Sequence, residues 1–355
     1  MRKRLLTNIL LSIVTLLSYA AVLFPPAWWW LFGFVALLIP VCLVLQVLFL
    51  IYWLYFRKFR YIFLPIIMLL FGYPFILATI AIHFPKEIPK NYKKVSILTY
   101  NTQVFNAYTK KNKNYENSKH LINWVKYDEA DIKCLQEFYY VPKHEVFNTL
   151  TAIEKNDKYH SYFKCALTDK RGGKFGLAIF SRFPILEKGE IDLKDKSHND
   201  AIFADVLIEK DTIRIYNIHL QSMKINQKRM TDTDKWKENI IDVSQRLRKG
   251  FAARSKQIDI IANHISKSPY PIILCGDLND VPYSYTYFHL KKYLDNAFEK
   301  AGNGFEISLN SPIFYVRIDN QFFSPSIEIF NYQTYQNIEY SDHFPIKVLY
   351  GLERK

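Results

Sequence analysis

The first 83 residues contain no aspartate or glutamate and only six basic residues: Arg2, Lys3, Arg4, Arg57, Lys58 and Arg60. Between those charges lie three apolar runs, Leu5–Phe24, Trp28–Phe56 and Tyr61–Phe84. Each meets the requirement of about 20 apolar residues for a helix that crosses a bilayer. A cleaved signal peptide would account for one such run, not three in succession. No run reads as having a polar face, which disfavours buried helices of a soluble core. The expectation is a membrane domain over residues 1–84 with three transmembrane helices, a linker over 85–94 and a catalytic domain over 95–355.

Charge sets the expected orientation. Met1-Arg-Lys-Arg4 precedes the first run and Arg57-Lys-Phe-Arg60 separates the second from the third. The first interhelical loop, Pro25-Pro-Ala27, is uncharged and runs into Trp28-Trp-Trp30, a composition suited to a membrane interface. The positive-inside rule places the N-terminus and the second loop in the cytoplasm. Three crossings then leave everything after residue 84 outside the cytoplasm, although Lys86, Lys90, Lys93 and Lys94 pull the other way.

The remaining 272 residues carry 41 basic and 33 acidic side chains, enough chain for one sizeable domain. A basic surface beside a membrane attracts phosphates, nucleic acid and lipid headgroups without choosing among them. The four cysteines, Cys42, Cys134, Cys165 and Cys275, show no CxxC spacing and no disulfide framework.

After Pro85 and Pro89, β-rich and helix-like stretches interchange. Strands are expected at Val95–Tyr100, Ile132–Leu135, Gly176–Ser181, Ile202–Glu209, Ile213–Leu220, Pro271–Cys275, Arg317–Phe323 and Phe344–Leu349. Helices are expected at Ser118–Tyr127 and Pro142–Glu154. A longer helix runs from Trp236 to Ile265, its apolar spacing broken at Arg254. Gly250 is a possible break, and Arg246, Arg248, Lys249, Arg254 and Lys256 form a basic face read as solvated rather than as an anion-binding surface. Strands outnumber helices and several adjoin directly, so the expected class is α+β with mixed sheets.

Six apolar strands carry polar groups at or near an end: Asn101; Gln136-Glu137; Asn217, His219 and Gln221; Asp277 and Asn279; Arg317 and Asp319; Ser341, Asp342 and His343. One acidic turn is ordinary turn chemistry. Six such ends suit phosphoester hydrolysis, in which a hard divalent cation takes carboxylate, water and phosphate oxygens. An Asp and an Asn one residue apart can position water, and histidines held by carboxylates can stabilise the transition state or pass protons. There is no Cys/His zinc cluster, GxSxG elbow or P-loop.

The ordered set LTYN, CLQE, GLAIFSRFPI, NIHLQS, CGDLND, RID and SDHFPI resembles the endonuclease/exonuclease/phosphatase superfamily, from about Val95 to Leu349. That resemblance implies a four-layer αββα sandwich and a Mg²⁺ cofactor, with Mn²⁺ as an alternative. It implies Glu137 as the main metal ligand with Asn101 beside it, and Asp342 completing the metal shell. Asp277 would polarise or deprotonate water, and Asn279 would hold that water or a phosphate oxygen. His343, oriented by Asp319, would contact the scissile phosphate. His219 matches the other phosphate-contacting histidine, a general acid in some members.

Arg317 is as readily a structural ion-pair partner as a phosphate contact, and Asp280 reads as a turn residue. Asn320 departs from the aromatic that many relatives carry after RID. The Ser222–Gln257 segment is longer than a minimal nuclease needs and resembles that of membrane-attached bacterial members. The expected function is a membrane-anchored phosphodiesterase or phosphatase acting on a phosphate ester, with lipid and nucleic acid as candidate substrates and no obligate protein partner evident. The alternatives are an extracytoplasmic nuclease and a catalytically silent phosphate-binding module.

Overall fold

In the computed structural model, which describes residues 2–84, 87–109, 113–154, 158–194, 200–223, 236–311 and 314–354, the first apolar run folds as α1 (Arg2–Ala21). Linker residues Pro85 and Lys86 lie outside the described residues, as does much of the first half of the Ser222–Gln257 segment. The reading that no run has a polar face is corrected here. Asn8, Ser12, Thr15 and Ser18 recur at helical spacing and are all buried. Leu6, Leu10, Ile13 and Leu17 point outward instead, the inverse of a soluble helix.

The second run gives α2 (Leu31–Ala36) and α3 (Ile39–Tyr55), and Gln46 of α3 is the polar partner of α1. Gln46 Nε2 donates to Ser12 Oγ (3.2 Å) and Thr15 Oγ1 (3.1 Å), while Trp53 Nε1 donates to Asn8 Oδ1 (3.0 Å). In an apolar surround each buried polar group needs a partner, so these bonds fix the α1–α3 register. The third run is broken into α4 (Phe63–Phe71) and α5 (Tyr73–Thr79), bent by 56° at Gly72. Among the described residues two helices are therefore long and apolar enough to cross a membrane, or three if the bent pair is one span.

The elements that follow are β1 (Tyr92–Asn101), α6 (Glu116–Tyr127), β2 (Ile132–Tyr140), α7 (Thr149–Glu154), β3 (His160–Thr168), β4 (Lys174–Ser181), β5 (Ile185–Glu190), β6 (Asp200–Ile208) and β7 (Asp211–His219). Then come α8 (Trp236–Ile265), β8 (Ile272–Asp277), α9 (Tyr285–Leu290), β9 (Asp295–Asn296), α10 (Ala297–Ala301), β10 (Asp319–Phe323), β11 (Glu328–Thr334) and β12 (Ile346–Glu353). Two expectations change. The helix foreseen from Pro142 begins only at Thr149, and α8 runs unbroken through Gly250.

The chain divides into two compact units. One comprises Met1–Ile80, Met223–Ile258 and Asp280–His289; the other comprises Ala81–Ser222, Asp259–Asn279 and Leu290–Lys355. In the first, the basic face is solvated at Arg248, Lys249 and Lys256, which are exposed, but not at Arg254. It is fully buried, and its Nε donates to Asp280 Oδ2 at 3.1 Å. The break in the apolar spacing of α8 is thus a buried ion pair, because a guanidinium can enter an interior only with an anion beside it.

Among the described residues the second unit holds two six-stranded sheets, ordered β11-β12-β1-β2-β4-β3 and β5-β6-β7-β8-β10-β9. Each has one parallel pair near its centre, β1–β2 and β7–β8, and antiparallel pairs elsewhere. The core between the sheets includes Ile97, Cys134, Ile179, Ile202, Ile215 and Cys275. Outside the first sheet, Leu121 and Val125 of α6 pack on Tyr100, Phe138 and Phe180. Outside the second, His264 of α8 meets Tyr216, with Oη and Nδ1 2.8 Å apart. This is an αββα sandwich.

Candidate active site

The sheets are built so that strand ends converge. In the second sheet, register sets His219 of β7 and Asp319 of β10 on either side of Asp277 of β8. β8 fits against β7 through Gly276, where φ is +153° and an added Cβ would lie 2.0 Å from the Ile218 carbonyl oxygen. Only glycine permits that approach. In the first sheet, Asn101 ends β1 opposite Gln136 of β2. A bulge follows, between Leu135 and Phe138, with Glu137 at φ +48°. Bulges re-aim side chains, and a non-glycine residue with positive φ needs external support. Thr102 supplies it, its backbone N–H bonding Gln136 O (2.9 Å) and its Oγ1 bonding Glu137 O (3.0 Å).

The Glu137 carboxylate then stands 3.8 Å from Nε2 of His219, on the opposite sheet. Asp277 Oδ2 lies 3.7 Å from His219 Nε2 and 3.8 Å from His343 Nε2. The Asp277 carboxylate is buried and accepts from three donors: Asn101 Nδ2 (3.1 Å), the Asn279 backbone N–H (2.7 Å) and Asn279 Nδ2 (3.2 Å). Asn279 has φ +50° and also donates to Leu220 O (3.0 Å), so the GDLN turn is held at both ends. The Asn101 carboxamide is engaged twice, since its Oδ1 accepts from the Gln103 N–H (3.1 Å).

His343 Nδ1 donates to Asp319 Oδ2 at 2.8 Å, which turns Nε2 toward Asp277. Burial alone would lower the His343 pKa, but Asp319, Asp277 and Asp342 together hold it well above the usual histidine value. Asp277 moves up from the usual carboxylate value, through burial first and the Asp319 charge second, with His343 and His219 opposing. A buried carboxylate of raised basicity is chemically suited to accept a proton, since general bases work best when their pKa approaches ambient pH.

Asp277, Asp319 and His343 offer ligand atoms within 4.8 Å of one another, a group able to hold a metal ion. Within it, His343 and Asp319 are already hydrogen-bonded to each other. The acidic groups left more open are Glu137, partly exposed, and Asp342, exposed at the surface. Both offer carboxylate oxygens, the donor type a hard divalent cation takes. The buried Nε2 of His219 makes no hydrogen bond, the Asp277 and Glu137 carboxylates standing beyond hydrogen-bond reach at 3.7 and 3.8 Å.

A family model described as the endonuclease/exonuclease/phosphatase family matches residues 98–343. The chain belongs to that family. Its members are metal-dependent phosphoesterases. A second model, a domain of unknown function, matches residues 2–79. No curated protein matches the chain.

Solved structures share the fold. The endonuclease/exonuclease/phosphatase of Bacteroides vulgatus is 15% identical, with a TM-score of 0.55 over 74% of this chain and 100% of that one. A humanized D. rerio TDP2 is 17% identical, TM-score 0.52, over 72% and 98%. A Bacteroides thetaiotaomicron mannosyl-6-phosphatase is 20% identical, TM-score 0.50, over 72% and 98%.

Of the residues singled out in the sequence, Glu137, His219, Asp277, Asn279, Asp319, Asp342, His343 and Asn101 lie at this end of the endonuclease/exonuclease/phosphatase sandwich. Arg317 does not join them. Its Nη1 donates to Phe305 O (3.1 Å), and its guanidinium carbon lies 3.4 Å from the centroid of the Phe298 ring. Asn320 accepts from Arg317 Nε at 3.4 Å, so the departure after RID falls on the strand face opposite Asp319.

Sequence reasoning missed Ser308. Its Oγ donates to Asp319 Oδ2 (2.7 Å) and accepts from the Ile318 and Asp319 backbone N–H groups. It missed Thr102 and Gln103 as well, and Gln103 Oε1 accepts from the Asp342 N–H at 3.2 Å. Thr102 and Gln103 directly follow the LTYN motif, which was the one available signal.

Proposed function

We propose that the protein is a membrane-anchored, Mg²⁺-dependent phosphoesterase that hydrolyses a phosphodiester or phosphomonoester by in-line attack of water. The observation that carries this reading is the convergence of Asp277 with Nε2 of His219 and of His343, at 3.7 and 3.8 Å. Asp277 accepts the proton of the attacking water, and Asn279 orients that water. His343, cationic and held by Asp319, and His219 bind the non-bridging phosphate oxygens. Glu137 and Asp342, with Asn101 beside them, would hold Mg²⁺, or Mn²⁺ in its place. The cation supplies charge neutralisation at the phosphate and at the leaving oxygen.

The anchor is the N-terminal group of apolar helices. Basic residues before α1 and between α3 and α4 support a cytoplasmic N-terminus and an extracytoplasmic catalytic unit. For the substrate, one structural relative was crystallised with a single-strand DNA product and another is a sugar phosphatase. Both fit the phosphoester class. The test is hydrolysis by the purified full-length protein of a panel of phosphomonoesters, phosphodiesters, phospholipids and DNA, with Mg²⁺ and with excess chelator. Chelator-sensitive release from one class is expected. No hydrolysis of any class under Mg²⁺ or Mn²⁺ would favour a binding module.

A further inference from the structure

The N-terminal part of α8 has no role in the site just described, yet it is fastened to the apolar helices of its own unit. The Ala27 backbone N–H donates to Ser255 Oγ at 3.1 Å. Phe251 meets the Phe34 ring edge-on, with centroids 5.4 Å apart. The Arg248 guanidinium lies over the Trp30 ring at 5.2 Å. Gly33 makes the close fit possible, since a Cβ there would fall 2.4 Å from the Phe251 ring. All four contacts fall on residues 27–34, the connection between the first two apolar spans and the turn that opens the second.

Helical geometry extends this docked face toward the N-terminus. Phe251 and Ser255 share it with Leu247, Ser244 and Ile240. At its open end Ile240 and the flanking Ile241 are each 57% exposed. The opposite face carries Glu238, Asp242, Lys249 and Lys256. Trp28 and Trp29, next to the docking point, are exposed too. Two large aliphatic side chains held in water forgo the gain of burial. The tryptophans beside them have the composition of a membrane–water boundary.

We propose that α8 from Trp236 to about Ile258 is an in-plane membrane helix at the headgroup boundary, with Ile240 and Ile241 in the acyl region and the Lys249 face in water. Its partner is the phospholipid bilayer itself. The docked face is continuous with the exposed one: α8 packs on the connection between the two apolar spans and presents Ile240 and Ile241 where that packing ends. Such amphipathic helices sink their apolar face about 5–10 Å into the boundary. Arg248, stacked on Trp30, is placed to reach lipid phosphate with its guanidinium. The inference rests on α1 and the Leu31–Tyr55 segment crossing the bilayer, and it is independent of the catalytic reading.

The experiment uses the full-length protein with Cys165→Ser, the other three cysteines being buried, in phosphatidylcholine nanodiscs. Single spin labels are attached after Ile240→Cys, Ile241→Cys or Lys249→Cys, all at exposed positions. Collision with oxygen, which concentrates in lipid, is compared with collision with a water-soluble nickel chelate. Labels at 240 and 241 are expected to favour oxygen, and the label at 249 the chelate. A label at 240 that favours the chelate would overturn the proposal. One shielded from both reagents would overturn it as well, since protein rather than lipid would then cover the face. Leu10→Cys, on the outward face of α1, reports separately whether the spans themselves lie in lipid.

Discussion

Asp277 and Asp319 face each other directly across the β8–β10 ladder, and His343 bridges the two. Its Nδ1 is bonded to Asp319 at 2.8 Å, and its Nε2 lies 3.8 Å from Asp277. Strand pairing alone brings the two carboxylates together, and the histidine separates their tasks. One carboxylate holds the imidazole in place while the other stays available for water. Groups on paired strands keep their geometry better than groups on a free loop, and hydrolysis depends on that precision.

Asp319→Asn is expected to act through His343. The Ser308 bonds to the backbone survive the change, so the fold should hold. The imidazole loses the anion that fixes its tautomer and its charge. Turnover should fall by about 10²-fold, the usual scale for a lost acid–base or orienting group, with KM affected less. Equal turnover for Asp319→Asn and wild type would remove His343 from the transition state.

Glu137→Gln should weaken Mg²⁺ or Mn²⁺ binding by at least about tenfold in calorimetric titration, because a hard cation prefers the carboxylate. The bulge is held by Thr102 through backbone atoms, so the thermal midpoint should barely move. Unchanged affinity would take Glu137 out of the metal shell.

The residue next to Asn279 behaves differently from what its motif suggests. Asp280 follows the GDLN turn and reads as turn chemistry, but it is buried, bonded to Arg254 and to Thr286 Oγ1 at 2.8 Å. Asp280→Asn keeps the shape and removes a negative charge bonded to a buried guanidinium. A loss of about 3 kcal/mol is expected, the lower end for breaking a buried pair. Thermal unfolding in detergent measures it, and a shift within error of wild type would show that the pair contributes nothing net.

Much of the site was legible because each element of it is a short run with its own chemistry. The strands carrying Asn101, Glu137, His219 and Asp277 announce themselves by apolar stretches that run into polar groups, three at a strand end and Glu137 at a bulge within β2. What failed did so for lack of local signal. Ser308 lies in an irregular segment, and only the folded sandwich brings it to Asp319. Arg254 on α8 looks like one of several basic residues, and nothing nearby in sequence shows that Asp280 waits for it. Arg317 opens the RID motif, yet in the fold it bonds Phe305 O and Asn320, partners that nothing local in the sequence announces. The α1 stripe of Asn8, Ser12 and Thr15 is visible once helical spacing is applied to an apolar run, and Gln46 on the next run gives it a reason.

Acid should loosen one loop before the rest of the catalytic unit. Asp169 accepts from Tyr108, from Tyr139 Oη (2.8 Å), and from the Arg171 and Gly173 N–H groups. The Tyr108 bond is the largest cause of its depressed pKa, which falls from 3.8 to about 2. A carboxyl lowered on folding stabilises the fold fully above its unfolded pKa, and that contribution is lost as pH falls through the folded one. Stability should therefore drop between about pH 4 and pH 2, and Asp169→Asn should flatten that part of the curve. An unchanged acid profile for the variant would show that other carboxyls govern it.

The most direct measurement is the single-turnover rate of Asp277→Asn on whichever phosphoester the substrate panel identifies, at saturating Mg²⁺. If Asp277 takes the proton of the attacking water, the rate falls by roughly a hundredfold or more. Substrate affinity stays close to wild type, since the loss lies in the transition state. A folded Asp277→Asn protein that cleaves the substrate at the wild-type rate would contradict the account.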